Sequence, residues 1–215
     1  MANPGAKSPR ERYRMQMRAE IKQCAWQQIA TAGASALSLN AIAKQVGMSG
    51  PALYRYFASR DELITELIRD AYRSLADTLR TARDSGADLA GLAYALREWA
   101  LADPQRYFLI YGTPVPGYHA PDDTTEISNE IMTTLIEAFS ALPPDPRTTP
   151  FDTHLEHHRR WAADDSVPTT TLRRAVSFWT RLHGVLSLEL AGHFTGMEFD
   201  PDLLFADELD TLITQ

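Results

Sequence analysis

Apolar residues recur along most of this chain at intervals of three and four, which is the spacing that one face of an α-helix requires. The first apolar stripe ends near Gly33, and a second one, two turns long, lies between Ser38 and Gly47. Serine is a favourable N-cap, and glycine is favourable just beyond a helix C-terminus. A capping box at 59–62 predicts a longer helix that reaches about Thr81. The first third of the chain is therefore predicted to be helical.

The rest of the chain also shows helical periodicity, and no convincing strand alternation appears anywhere. The stripe after position 170 is apolar on more than one side, which indicates a helix that is buried all round. These patterns predict an all-α protein. Its later helices are predicted over about 89–100, from Pro104, from about Thr125, over about 170–193 and over about 200–214.

Proline and glycine interrupt the helical pattern at two places. Residues 112–118 contain two prolines and two glycines, and residues 143–150 contain four prolines. We interpret the second break as an exposed loop. The stretch at 151–164 that follows it is compatible with either helix or loop.

Cysteine content and hydropathy indicate the compartment. The only cysteine, Cys24, cannot form an intrachain disulfide, so nothing points to an oxidising environment. The first twenty residues carry arginines without an apolar run behind them, and no stretch approaches the roughly 18 consecutive apolar residues of a membrane helix. We expect a cytoplasmic protein that does not contact the membrane.

The formal net charge of −7 is unfavourable for contact with a polyanion, but it is unevenly distributed. Residues 1–57 contain eight lysines and arginines and two acids, a net charge of +6, whereas the remainder carries −13. Such asymmetry favours a polyanion as the partner of the N-terminal part. A solvated basic tail would produce the same asymmetry.

Between Ser38 and Phe57, two short helices are predicted at 38–46 and at about 50–57, and they flank a tight turn at 47–49. This is the arrangement of a helix-turn-helix, in which the second helix enters the major groove of DNA and the first supports it. Gly47 suits the left-handed turn, and Ser49 can cap the second helix, whose free N–H groups would then point at a phosphate. An ordinary helical hairpin would share this spacing.

The outward face of the second helix carries the groups that would contact DNA. Arg55 offers a guanidinium to a phosphate or a guanine edge, and two tyrosines offer hydroxyls and flat rings. Pro51 and Ala52 suit contact with a thymine methyl group, and Arg60 is placed for the phosphate backbone. The further candidates from the residue pattern are Tyr54 and Tyr56 on this helix and Asn40 and Lys44 on the supporting helix.

The run LNAIAKQVGMSGPALYRYF at 39–57, followed by SRDEL at 59–63, resembles the N-terminal domain of the TetR/AcrR family of regulators. The resemblance covers roughly residues 18–70 without a gap, with Arg60 where a lysine is commoner. By position, it implies phosphate contacts at Ser38 and Asn40 and a DNA contact at Gly50. Because Gly50 has no side chain, base readout would depend on Arg55, methyl contacts and DNA shape.

The resemblance also implies two domains and a way of working. Residues 1–58 would form a three-helix DNA-binding domain with a basic arm at about 1–17, and residues 59–215 a helical ligand-binding and dimerisation domain. Helices at about 170–193 and 200–214 would pair two copies into a homodimer. Double-stranded operator DNA and a small-molecule effector are the implied partners, and a repressor released from a palindromic operator is the implied function.

Trp179, His183 and Gly184 resemble the Trp…His-Gly signature of one class of C-terminal domain in that family, and residues 99–118 resemble its middle segment. Trp179 and His183 share one helical face, so they could line a pocket for a largely apolar effector. Plain core packing would explain the same residues. The candidate pocket residues are Trp99, Tyr107, Tyr111, Tyr118, Trp161, Trp179 and His183.

Two other classes of function are compatible with parts of the sequence. His154 and His158 lie four residues apart and could hold a metal in a hydrolase, but no third ligand and no catalytic signature accompany them, so a solvated polar face is favoured. A helix-turn-helix can also bind a protein. We expect no enzyme activity, no cofactor and no metal.

Overall fold

The computed structural model describes residues 8–112 and 122–214, and this part of the chain is largely helical and contains no strand. The prediction of an all-α protein is therefore confirmed. The first four helices are α1 (Pro9–Ala32), α2 (Leu39–Gln45), α3 (Gly50–Leu53) and α4 (Arg60–Asp84), with a 3-10 turn at Ala34–Ala36. The later helices are α5 (Leu89–Ala102), α6 (Pro104–Tyr111), α7 (Asp122–Ser140), α8 (Pro150–His157), α9 (Thr169–Leu190) and α10 (Pro201–Thr214).

The described residues form two compact units. The N-terminal unit consists of residues 8–70 and 108–112, and the C-terminal unit consists of residues 71–107 and 122–214. Helix α4 contributes residues to both. The predicted domain boundary at 58–59 lies before α4, and it stays a prediction. None of the described helices combines the length and the apolar character that crossing a membrane would need.

Helix α1 provides one side of the N-terminal unit's core. Met17, Ile21, Ala25 and Ile29 are buried, and their spacing of four keeps them on one face. The helix begins much earlier than its apolar stripe, because Ser8 and Glu11 form a capping box. The predicted basic arm at about 1–17 is consequently helical from position 9 onward.

Helix α9 forms the centre of the C-terminal unit, since it packs against α7, α8 and α10. Leu172, Phe178, Leu182 and Leu186 on α9 are almost completely buried. Phe139 of α7 meets Phe178 edge-on, with ring centroids 5.4 Å apart. The prediction that α9 is buried all round is correct only in part, since Thr180, Gly184 and Leu188 are exposed.

The connection between α7 and α8 is an exposed loop, as the sequence predicts, except that the side chain of Asp145 is buried in an ionic network. The side chain of Asp145 is fully buried and accepts hydrogen bonds from Arg147 and from Arg173 of α9. Asp152 is buried beside it, 2.9 Å from Arg173 Nε, and forms a capping box with Thr149. The sequence pattern missed this network because its members are up to 28 residues apart.

The network lowers the pKa of both aspartates. Hydrogen bonds from Arg147 and Arg173 hold the pKa of Asp145 well below its usual range. Burial alone would raise the pKa of Asp152, but hydrogen bonds from Thr149 and Arg173 outweigh that effect and lower it. Both carboxylates therefore remain charged at neutral pH and need Arg173 as their counter-charge.

Candidate functional site

Helices α2 and α3 are joined by the tight turn that the sequence predicts. Ser38 caps α2, since its hydroxyl accepts a hydrogen bond from the Ala41 amide at 3.3 Å. Gly47 ends the helix with a φ of 71°, a left-handed conformation that favours glycine. The Gly47 and Met48 amides donate to the carbonyls of Lys44 and Ala43, which completes a Schellman motif. Ser38 and Gly47 therefore have the roles that their residue types suggest.

The start of α3 differs from the prediction in one respect. Ser49 occupies the N-cap position, but its side chain makes no capping hydrogen bond. The amide groups of the first turn of α3 are thus not satisfied by that hydroxyl. A Cβ atom on Gly50 would lie 3.5 Å from Asn40 Oδ1, so Asn40 lies directly against the beginning of α3.

Helix α3 is also shorter than the predicted 50–57. It ends at Leu53, and residues 54–56 continue as a turn in which the Arg55 and Tyr56 amides donate to the carbonyls of Ala52 and Leu53. Leu53 and Phe57 are fully buried and anchor this segment to the N-terminal unit. The side chains between them form the outer surface.

The structure brings the predicted DNA-contact residues onto the surface of the N-terminal unit. Between 38 and 57 this surface carries two cations, Lys44 and Arg55, and no carboxylate. The exposed members are Ser38, Asn40, Lys44, Ser49, Pro51, Tyr54 and Arg55, and the partly buried ones are Gly50, Ala52, Tyr56 and Arg60. Lys44 and Arg55 make no ion pair with the described residues, whereas Arg60 lies 3.8 Å from a carboxylate oxygen of Asp61.

Arg60 is already engaged within the protein. Its guanidinium donates to the backbone carbonyls of Ala34, Ser35 and Leu37 at 2.8 to 3.1 Å. These carbonyls lie in and just after the 3-10 turn that leads into α2. Arg60 thus fixes the entry to α2, and its predicted contact with the phosphate backbone stays a prediction.

Arg18 holds the other end of the helix pair, a role that no sequence pattern indicated. Its Nη1 donates to the carbonyl oxygen of Tyr56, and its guanidinium lies over the ring of Phe57, 4.1 Å from the centroid. Arg18 Nη2 also lies 3.3 Å from a carboxylate oxygen of Glu66 on α4. Arg18 therefore ties the segment after α3 to α1 and α4. A backbone carbonyl is a partner that no residue pattern can reveal.

Part of the predicted effector pocket forms a polar cluster in the core of the C-terminal unit. The hydroxyl of Tyr107, a fully buried residue, lies 2.8 Å from His183 Nδ1 and 2.7 Å from Ser187 Oγ. Trp179 packs edge-on against His183, with ring centroids 4.0 Å apart. Burial lowers the pKa of His183 to about 3, so the imidazole is neutral at physiological pH.

Two of the other pocket candidates have hydrogen-bond partners elsewhere in the C-terminal unit. Trp99 is buried and its indole N–H donates to Ser74 Oγ of α4 at 3.1 Å. Trp161 lies after α8 and donates to the carbonyl of His158. Tyr111 belongs to the N-terminal unit, and Tyr118 lies outside the described residues.

Two adjoining cavities lie along α7 in the C-terminal unit. One, of about 350 Å³, is lined by residues of α4 and α7, among them Arg80, Arg83 and Glu130. The other, of about 320 Å³, lies between α7 and the 162–167 segment, and both include Thr133 and Ala163 in their walls. Neither is lined by the predicted aromatic residues, and the first is bordered by charged groups.

The histidine pair after the second break does not form a metal centre with its neighbours. The rings of His154 and His158 stack in parallel, with centroids 4.0 Å apart, and His158 Nδ1 lies 2.9 Å from the His154 carbonyl oxygen. Across 8–112 and 122–214 no group of three or more histidine, cysteine, aspartate or glutamate side chains could hold a metal ion. The geometry gives the hydrolase alternative no support.

Comparison with protein families identifies both parts of the chain. The model described as "Bacterial regulatory proteins, tetR family" matches residues 23–67, which include α2, the turn and α3. The model described as "Tetracyclin repressor-like, C-terminal domain" matches residues 89–212, more than half of the chain.

Similar proteins cover nearly the whole sequence. HTH-type transcriptional regulators Rv1816 of Mycobacterium tuberculosis and Mb1846 of Mycobacterium bovis are each 36% identical over 219 residues, covering 93% of this chain and 92% of theirs. The crystal structure of a protein named as the regulatory protein SCO4313 is 69% identical, with a TM-score of 0.91, and covers 97% of this chain and 100% of that one.

Proposed function

The chain belongs to the TetR family of bacterial transcriptional regulators, and we propose that it is a repressor that a small molecule releases from a palindromic operator. As a member of this family it is a DNA-binding protein. The observation that supports the proposal most is the surface between Ser38 and Phe57, which carries cations and no carboxylate. Arg18 and Arg60 fix the two ends of this segment through hydrogen bonds to backbone carbonyls.

We assign the operator contacts to that surface. Tyr54 and Arg55 follow α3 directly and are both exposed, so they can reach a major groove that α3 enters. Lys44 and Ser38 on α2 flank them and are suited to the neighbouring phosphates. With Gly50, Pro51 and Ala52 at the start of α3, the bases would be read mainly by Arg55, by methyl contacts and by DNA shape.

A homodimer through α9 and α10 is the proposed assembly. Leu188 on α9 and Leu203 on α10 are 46% and 70% exposed, although both are large apolar residues. Pairing these helices with those of a second copy would remove such side chains from water. The two recognition segments, residues 50–56 of each copy, must then lie about one helical turn of DNA apart, roughly 34 Å, to occupy both halves of a palindromic operator.

The effector is proposed to act through α4. Arg80 and Arg83 on its later turns line the larger cavity, and the same helix begins directly after the turn that contains Tyr54 and Arg55. Each cavity exceeds the roughly 300 Å³ at which small-molecule sites begin. A ligand that favours one orientation of α4 would change the spacing of the two recognition segments. The charged wall favours an effector with polar groups over the largely apolar one that the aromatic residues predict.

The double substitution Tyr54→Ala with Arg55→Ala tests the proposed operator surface. Duplexes that the wild-type protein selects from a random pool serve as the DNA, both in a footprinting assay and upstream of a reporter gene. We expect the wild-type protein to protect the selected site and to lower transcription, and the variant to do neither. Its helicity and oligomeric state should stay unchanged, because both side chains lie on the outer surface.

The matched control is Tyr94→Ala with Arg160→Ala, which removes an exposed tyrosine and an arginine from the C-terminal unit. It should keep footprint and repression. Footprinting by the Tyr54/Arg55 variant would overturn the assignment of the surface, and a transcript that rises with wild-type protein would overturn repression. The alternative of a protein-binding module predicts no steep salt dependence with duplex DNA, whereas phosphate contacts give a negative slope of log K against log salt.

A further inference from the structure

The C-terminal unit contains a small cavity in which four of the six lining residues are arginines. Its volume is about 130 Å³, and no acidic residue lines it. Its walls come from the connection before α8, from α9 and from α10. The lining residues are Arg147, Arg173, Arg174, Ser177, Arg181 and Leu212.

The carboxylates behind these arginines do not balance their charge. Arg147 and Arg173 are paired with Asp145 and Asp152, and Arg181 is paired with Glu208 of α10. Arg174 has no carboxylate within ion-pair distance among the described residues. Among the residues that the structure describes, Arg174 is thus the one guanidinium of the four without a carboxylate partner.

Arg174 also retains unused donors. Its Nη1 donates to the Pro143 carbonyl at 3.1 Å, and its guanidinium lies 5.2 Å from the centroid of the Phe139 ring. Its Nη2 makes no hydrogen bond within the described part of the chain and is therefore open to an acceptor that the protein itself does not provide. The hydroxyl of Ser177, one turn along α9, also borders the cavity.

We propose that this cavity binds the phosphoryl group of a small anion, either inorganic phosphate or the phosphate end of a metabolite. Guanidinium groups from α9 and from the connection surround the cavity, which suits a tetrahedral anion whose oxygens point in several directions. The volume corresponds to about four water molecules at roughly 30 Å³ each, enough for a phosphate group. The proposal concerns neither the operator surface nor the cavities along α7.

Isothermal titration at constant ionic strength tests the proposal, with inorganic phosphate and glycerol 3-phosphate as the two probes. We expect one saturable phosphate site per chain and at least a tenfold weaker affinity in Arg174→Gln. Tighter binding of glycerol 3-phosphate would identify a phosphorylated metabolite as the ligand, and weaker binding would identify free phosphate. Arg160→Gln, an arginine that does not line the cavity, should bind both probes like the wild type.

The variant Ser177→Asp should abolish phosphate binding without destabilising the fold. The new carboxylate would lie among the arginines and replace the anion, so the variant should unfold at the same or a higher temperature than the wild type. It should also lose the rise in Tm that phosphate, compared with chloride, gives the wild type through binding. The proposal fails if the wild type shows no saturable site, or if Ser177→Asp gains as much from phosphate as the wild type does.

Discussion

In the N-terminal unit the arginines beside α2 and α3 donate to backbone carbonyls, whereas in the C-terminal unit Arg173 neutralises buried carboxylates. Arg18 and Arg60 reach Tyr56, Ala34, Ser35 and Leu37 through main-chain oxygens, which are uncharged. Loss of such a donor leaves a carbonyl without its hydrogen bond, and Glu66, the carboxylate beside Arg18, is partly exposed and keeps its pair with Arg69. Loss of Arg173 would leave Asp152 as a buried charge without its cation.

The arginines of the N-terminal unit therefore act mainly on the geometry of the DNA-binding surface, and Arg173 acts mainly on the stability of the fold. A hydrogen bond to a carbonyl contributes modestly to folding but sets where a segment lies. A buried ion pair contributes little relative to an apolar replacement, yet it is costly to break on one side only. We therefore expect substitutions in the C-terminal unit's network to change the free energy of unfolding, and those at Arg18 to change DNA affinity.

The largest effect is expected for Arg173→Met. The substitution removes the cation that bonds both Asp145 and Asp152, and breaking a buried pair in this way costs about 3 to 5 kcal/mol. Urea-induced unfolding at fixed protein concentration and pH 7 measures the change. A loss of less than about 1 kcal/mol, the value of an exposed ion pair, would show that Arg173 does not stabilise the fold by neutralising a buried carboxylate.

A double variant identifies the cause of that loss. Asp152→Asn combined with Arg173→Met removes the buried charge together with its partner, and the amide oxygen of the new side chain would still accept a hydrogen bond from Thr149. The double variant should therefore be more stable than Arg173→Met alone. An equal or larger loss would show that Arg173 acts by packing and not by neutralising the carboxylate.

A smaller effect on stability is expected at His183, where a buried neutral group resists gaining a charge. Its pKa is about 3 in the folded protein because of burial, compared with an ordinary value of 6.5 in the unfolded chain. Between these values the unfolded state binds the proton and the folded state does not, so stability falls as the pH falls. The slope approaches about 1.4 kcal/mol per pH unit below pH 6, which amounts to about 1.7 kcal/mol between pH 6.5 and pH 5.

The variant His183→Asn provides the comparison, because an amide can take the place of Nδ1 beside the Tyr107 hydroxyl without titrating. Urea-induced unfolding of both proteins at several pH values between 7 and 4 should give a shallower loss of stability for the variant. Parallel curves would contradict the assignment of a neutral, buried imidazole.

The residues behind these predictions also show what could be read from the sequence. Ser38 and Gly47 were predicted correctly because the cap and the left-handed turn depend on local residue types. The surface at 38–57 follows from them, since the alternation of buried and exposed positions is local too. Family resemblance added the roles that spacing alone leaves open.

Residues whose role depends on distant parts of the chain could not be predicted in this way. Tyr107 and His183 were proposed as pocket lining, but their hydrogen bond joins helices 76 positions apart in sequence. Arg60 reaches back 23 to 26 positions to main-chain oxygens, which every residue type possesses. Asp145 lay in a segment rich in proline, which indicates a loop but not whether its side chain is buried.

The smallest effect is expected for Arg18→Gln, which should change the affinity for DNA more than the free energy of unfolding. Without the guanidinium the carbonyl of Tyr56 loses its donor and Phe57 loses the overlying cation, so the turn that carries Tyr54 and Arg55 is held less firmly. We expect about a tenfold loss of affinity for the selected operator, equivalent to roughly 1.4 kcal/mol. The free energy of unfolding should change less than with Arg173→Met.

The salt dependence of operator binding distinguishes this positioning role from a direct phosphate contact. Each phosphate contact that is lost makes the slope of log K against log salt shallower by about 0.9. Because Arg18 bonds Tyr56 and Glu66 within the protein, the slope should stay that of the wild type. Lys44→Gln, the matched loss of an exposed cation on α2, should weaken binding and make the slope shallower. If Arg18→Gln changed the slope as Lys44→Gln does, Arg18 would contact DNA directly and would not act only by positioning the turn after α3.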